Sequence, residues 1–276
     1  MRIFCTLLML FGLVISHAQI NKATYTLKVS TNIDFSANPN IPKNVAERIK
    51  KRLSEPETYQ LYFDQSQSIY KKEEKLDAPQ AGGRGGMSFR FGSGAGAIVH
   101  TLLASRKQTS QQELFSKLFL VNRNPKKPEW VFSGETKQIG KYTAYEATYI
   151  EMQIPAQMRM SFGQRNAKEE EDKEPEKVPV TVSVWFTPEI PSSAGPAKYF
   201  GLPGLVLMVQ DGNRVLVCTE VQMNVSEKIS LDPPKKGKQV TGAEFNKIRE
   251  EKVKEMRERF QNNSNRGNQN RIMIRG

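Results

Sequence analysis

Two cysteines and two histidines in 276 residues leave little material for metal or nucleophilic chemistry. One of each, Cys5 and His17, falls within the first 18 residues, so Cys218 and His100 stand alone in the rest of the chain. That scarcity excludes a disulfide framework, a Cys/His zinc cage and any mechanism that needs a pair of histidines. Long apolar runs are missing too, apart from Ile3 to Ile15. Arg2 before this run and Ser16-His17-Ala18 after it make a secretory signal peptide, with cleavage expected before Gln19. The run is too short and wrongly flanked for a mature membrane-spanning helix. Cys5 lies inside the signal, not just after it, which argues against a lipoprotein anchor. The formal net charge of +12 is spread through the chain or matched by acids, as in Lys71 to Lys75 and Lys247 to Arg259. No aromatic–basic RNA-binding motif accompanies it, so nucleic acid is not an expected partner.

Three stretches are poor in core-forming residues. Positions 79–97 are Gly-rich, 166–177 are almost wholly charged, and 261–276 form a polar end rich in Asn, Gln and Arg. Composition assigns these to two flexible loops and a mobile tail. Between them lies one domain, 19–260, and no repeat of solenoid or propeller period interrupts it.

Strand patterns dominate that domain. Thr24 to Ser30, Glu57 to Asp64 and Gln67 to Lys71 alternate, and Glu129 to Phe132 and Lys141 to Ile150 add two more. Val178 to Phe186 alternates strictly, with Val178, Val180, Val182, Val184 and Phe186 on one face, as a half-buried strand requires. Asp211-Gly212-Asn213 joins Leu205–Gln210 to Arg214–Met223 as a hairpin. Helices are fewer. Asn44 to Leu53 is one; the other opens with a capping box at Thr241-Gly242-Ala243-Glu244. Phe245, Ile248, Val253, Met256 and Phe260 then form an apolar stripe, with the stem of Lys252 filling its gap. The fold class expected is mainly β with helical cover (α+β), built on an antiparallel sheet.

Chemistry-bearing candidates are weak. The Gly-rich stretch lacks the ending of a P-loop and the strand–helix setting of a dinucleotide site. Met152, Met158 and Met160 offer thioethers for a soft metal ion but have no His or Cys beside them. Glu169 to Asp172 sit in a solvated charge run where nothing fixes geometry. Cys218, in a strand without a neighbouring base, reads as a packed residue.

The segment from Trp185 to Gln210 is the most distinctive. It contains Trp185-Phe186-Thr187-Pro188-Glu189-Ile190-Pro191, then Gly195-Pro196, Tyr199, and Gly201-Leu202-Pro203-Gly204-Leu205-Val206. Pro203 and Gly204 suit the central positions of a type II turn, with positive φ at Gly204. Upstream stand Trp130, the run from Glu135 to Gly140, Tyr142 and Ala147; downstream, Gly237 to Ile248 closes the pattern. In these blocks, from about Leu120 to Met256, the chain resembles the GLPGLI family of exported bacterial envelope proteins. Val206 replaces the signature's last isoleucine, Ala194 stands where an aromatic often precedes Gly-Pro, and Ala144 where the family often has cysteine.

The resemblance implies export and a setting near outer-membrane transport components, but no established activity; no cofactor is expected from the residues. It also implies a curved antiparallel sheet or half-barrel with a C-terminal amphipathic helix. Such a sheet could bind a hydrophobic ligand or a partner's extended segment. Trp185, Phe186, Tyr199, Phe200, Leu202 and Leu205 are the candidate lining, and Gly201, Pro203 and Gly204 the structural turn. A methionine-based metal-handling protein is the alternative, and a hydrolase the third reading.

Overall fold

The computed structural model describes residues 19–30, 43–73, 97–154, 176–226 and 229–272. The signal segment, Met158, Met160, Glu169 to Asp172 and nearly all of the two loops expected at 79–97 and 166–177 lie outside them.

Twelve strands form one open sheet. They are β1 (Asn21–Val29), β2 (Glu57–Phe63), β3 (Gln67–Lys72), β4 (Ile98–Leu102), β5 (Lys107–Leu114), β6 (Lys117–Arg123), β7 (Val131–Ile139), β8 (Tyr142–Gln153), β9 (Val178–Thr187), β10 (Leu205–Asp211), β11 (Arg214–Gln222) and β12 (Lys238–Thr241). Among the described residues two helices accompany them, α1 (Lys43–Ser54) and α2 (Gly242–Ile272). The spatial order is β12-β6-β5-β4-β3-β2-β1-β11-β10-β9-β8-β7, antiparallel except where β12 joins β6 in parallel. Its edges are β12 and β7.

The connectivity dictates curvature. β6 and β7 follow one another in the chain yet lie ten strand spacings apart in the sheet. At about 4.8 Å per spacing a flat sheet would separate them by roughly 48 Å. The link from Arg123 to Val131 can reach about 28 Å at full extension. The sheet therefore curls until its two ends come within reach of that link.

What fills the hollow is the chain itself. The long connection from β9 to β10 (188–204) folds back across the inner face, where Ile190, Ala194, Tyr199, Phe200 and Leu202 join Tyr25, Leu61, Phe63, Val182 and Val184 in one core. Ser192 Oγ donates to Asp64 O at the β2–β3 turn, and Gln108 Nε2 on β5 donates to Ala197 O at 2.8 Å. The Arg106 guanidinium lies over the Phe200 ring at 4.3 Å while donating to Pro125 O and Lys126 O in the β6–β7 link. One side chain thus ties the inward-folded segment to the link between the sheet's ends.

Helical cover is confined. Thr241 Oγ1 accepts from Glu244 N at 3.2 Å, and Glu244 Oε2 accepts from Thr241 N at 2.7 Å, so the capping box forms as its sequence prescribes. Phe245 meets Phe119 edge-on at 5.5 Å, and Ile248 packs against the same cluster with Val121 and Val240. The helix runs on to Ile272, past the Gln261 boundary that composition suggests. The opposite face at β2–β4 is covered by a strap without regular structure: Ile229 and Leu231 lie on Tyr62 and Ile69.

Candidate functional site

The six aromatic and aliphatic candidates converge, but as core. Trp185, Phe186, Tyr199, Phe200, Leu202 and Leu205 are all buried, Phe200 and Leu202 at 1% exposure. They belong to two faces. Phe186 pairs with Tyr145 and Val206 on the inner face, whereas Trp185 pairs with Glu146 and Met208 on the outer one. There Lys137 Nζ rests 3.6 Å from the centre of the Trp185 ring and donates to Met208 Sδ at 3.2 Å. Burial lowers the Lys137 pKa, with Glu146 opposing.

The turn needs a correction. Positive φ falls on Gly201 (+90°) and not on Gly204, so Pro203–Gly204 is not the type II turn its sequence suggests. Gly204 is required for another reason: a Cβ there would lie 2.2 Å from Thr187 O. The backbone of 204 passes directly against the end of β9, and only hydrogen fits between.

A buried polar pin holds the inward-folded segment. Tyr199 Oη donates to Asp211 Oδ2 at 2.5 Å, Gln153 Nε2 donates to Asp211 Oδ1 at 2.7 Å, and Lys198 Nζ lies 3.5 Å from Oδ2. Burial pushes the Asp211 carboxyl up, but the Tyr199 and Gln153 hydrogen bonds and the Lys198 and Arg214 charges outweigh it and leave the pKa below the usual value. Burial of its ring, with the same carboxylate adding to it, drives the Tyr199 phenol far above its ordinary range. This pin joins β8, β10 and the 188–204 segment.

The lone thiol and imidazole sit apart. Cys218 faces inward beside Tyr25, and burial pushes its thiol up to about 12, so thiolate is scarce at neutral pH. His100 faces outward opposite Ile69, its Nε2 3.0 Å from Gln67 Oε1. Burial lowers the His100 pKa, Asp232 and Asp64 opposing. Four strand spacings and the thickness of the sheet separate thiol from imidazole. Met152 is exposed, and no group of three or more His, Cys, Asp or Glu suited to a metal ion exists among the described residues.

An open apolar surface lies mostly outside the residues that the sequence singles out. At the β7 end, Phe132, Tyr145, Phe186, Pro188 and Pro203 line a shallow notch of about 330 Å³, with Gly134 and Glu146 at its side. A bulge makes it. Phe132 pairs with Ala147 but Thr136 with Tyr145, so β7 carries extra residues there, and Gly134 takes φ +77°. Phe132 is 57% exposed and Tyr145 40%, both in tilted or edge-on contact with the buried Phe186 ring. Glu146 is held beside the notch by Ser133 Oγ at 2.8 Å and Ser183 Oγ at 2.6 Å. Upstream, Trp130 stands edge-on to Tyr149 at 5.0 Å. Of the six sequence candidates, Phe186 alone reaches the notch; Pro203 of the turn joins it.

Comparison with known proteins adds a family match without an activity. Residues 130–208 match the model of a family described as a protein of unknown function (Porph_ging). The matched stretch runs from Trp130 into β10, ending at Met208, and includes the whole lining of the notch. No curated protein matches the chain. Among solved structures, PNGF-II in its C2 crystal form is 12% identical with a TM-score of 0.48, over 84% of this chain and 32% of that one. Its P21 form gives 14% identity and a TM-score of 0.47, over 84% and 33%. The chain thus spans about a third of the length of PNGF-II. The match to that family covers 130–208, and the family's description assigns no function.

Proposed function

We propose that this is a GLPGLI-type protein of the bacterial cell envelope that works by binding, and that the notch beside the β7 bulge is its recognition surface. The observation that carries the reading is the notch itself: two exposed aromatic rings and two prolines facing solvent over the buried Phe186 ring, on a surface the fold has no need to leave open. Rings and prolines present large, stiff contact areas that lose little entropy on binding. A hydrophobic ligand, or an extended segment of an outer-membrane transport component, would place an apolar group against Phe132 and Tyr145. The core residues Trp185, Tyr199, Phe200, Leu202 and Leu205 then act from beneath, fixing Phe186, Pro188 and Pro203 in place. Export through the leader ending at Ala18 supports the envelope setting.

Calorimetric titration of the full mature chain with short aliphatic and aromatic fragments tests this. Phe132→Ser is expected to weaken binding by about tenfold, the effect of losing one apolar contact from a small pocket, with the unfolding midpoint little changed because Phe132 is exposed. Equal binding by both proteins would remove the notch from consideration.

A further inference from the structure

β7 ends the sheet, and its outer side is unpaired among the described residues. Which of its backbone groups face outward follows from the β7–β8 turn. Ile139 and Tyr142 pair across the two-residue turn Gly140–Lys141, with φ +61° at Gly140. Residues flanking such a turn exchange both hydrogen bonds, so Ile139 and Lys137 point their backbone groups at β8. Thr136 and Gln138 must then point theirs at solvent. The position of Thr143 agrees: it pairs with Gln138, yet its N–H turns away from β7 and donates to Glu189 Oε1 at 2.8 Å.

We propose that two copies of this chain join edge to edge through β7, antiparallel, with the two-fold axis at Thr136. Charge complementarity selects the occupant and the register. With the axis at Thr136, Glu135 of one copy lies opposite Lys137 of the other, twice over by symmetry. Centring on Gln138 would set Lys137 against Ile139; centring on Gly134 would set Lys137 against Val131 and Glu135 against Ser133. Centring on Gln138 also brings Glu135 opposite Lys141, but Lys141 lies in the turn beyond β7 and only 137–139 of the two strands would then pair; centring on Gly134 sets no opposite charges against each other. The Thr136 register also fits the backbone, because residues on the axis must offer outward N–H and C=O groups to one another.

The side chains fit a partner of this kind. Glu135 is exposed, and neither it nor Lys137 has an ion pair among the described residues. The Lys137 ammonium, resting on a ring and a thioether, gains an anionic acceptor by swinging toward the edge. The apolar surface flanking the edge is two-sided. Val131, 63% exposed, pairs with Thr148 on the outer face, and Phe132 pairs with Ala147 on the inner one.

Sedimentation of the full mature chain from low micromolar to near-millimolar concentration is the test, with hydrogen exchange followed at the amides of 136 and 138. A concentration-dependent dimer is expected, with exchange at both amides slowed in the dimer. Glu135→Lys and Lys137→Glu should each weaken association by about tenfold, as two opposed like-charge pairs require. Mixing the two variants should restore it, since every cross-strand pair is then opposite in charge. Unfolding midpoints check that Lys137→Glu still folds; if it does not, Glu135→Lys, at an exposed position, decides the matter by itself. A monomer at every concentration overturns the proposal. So does a dimer indifferent to both charge changes, or slowed exchange at 136 and 138 that appears only when an extended apolar peptide is added. Fragment binding at the notch is read separately through Phe132, so failure of the dimer leaves that reading standing and failure at the notch leaves the dimer standing.

Discussion

A side chain at position 204 would have nowhere to go, because its Cβ would sit 2.2 Å from Thr187 O and 2.5 Å from Thr187 C. Backbone cannot swing aside as a side-chain tip can. Gly201 is the contrasting case: its φ of +90° disfavours any Cβ, but the nearest atom is Nη1 of the flexible Arg106 side chain. Gly204→Ala is therefore expected to lower stability by roughly 3 kcal/mol or more, the size of severe overpacking. Gly201→Ala should cost about 1–2 kcal/mol, the left-handed backbone penalty. Chemical denaturation of the two variants measures both, and equal losses would show that the 187–204 approach is looser than the distances state. The sequence marks both glycines as special. It cannot say which is special for torsion and which for contact, because Thr187 approaches Gly204 only after seventeen residues of chain have turned back. Pro203-Gly204 looks like turn chemistry either way.

Strands with a uniformly apolar inner face announce themselves; strands facing polar backbone do not. β1, β2, β3, β9, β10 and β11 are readable because residues such as Tyr25, Leu61, Val184 and Leu216 alternate with polar ones. β5 carries no such pattern. Its buried Gln108 and Ser110 point inward to bond Thr101 Oγ1, Ala197 O and Val121 O, partners supplied by distant chain. No periodicity of apolar residues can betray such a strand. The capping box of α2 is local and so was legible, whereas how far the helix engages the sheet depends on packing. Phe245, buried between Phe119 and the Arg123 guanidinium, is its main anchor. Phe245→Ala should cost about 3 kcal/mol or more, as for a buried phenylalanine, and release α2 and β12 together. Hydrogen exchange resolves this: faster exchange confined to β12 and the first turns of α2 is expected, with β1 and β2 unchanged. A uniform rise across the sheet would show that the helix is not a separable unit.

At the scale of the whole molecule the curl of the sheet and the chain folded into its hollow are one fact, and neither is written in any short stretch of sequence. The aromatic segment 185–210 reads as a binding surface, since nothing local says that it will turn inward onto its own sheet. Phe132 and Tyr145 carry no local mark, because an alternating strand gives no sign of which aromatic stays uncovered. What keeps the inward fold in place is the pin at Asp211, which gathers Tyr199, Gln153 and Lys198 from two elements and the segment itself. Lys198 also bonds Glu151 Oε2 at 2.5 Å, extending the pin along β8. The Asp211 pKa is depressed in the folded protein, so its carboxylate contributes stability at every pH above the ordinary aspartate value of about 3.9. That contribution is lost as pH falls through the lower folded value. Asp211→Asn keeps an oxygen for the Tyr199 hydroxyl but removes the charge, and should cost about 1.5–3 kcal/mol at neutral pH, the worth of hydrogen bonds to a buried ion. Unfolding midpoints of the two proteins measured from pH 7 down to about pH 2, below the ordinary aspartate range, should converge in acid, because the remaining carboxylates titrate alike in both. A gap that stays constant into acid would mean that the charge on Asp211 contributes nothing and that shape alone retains the segment.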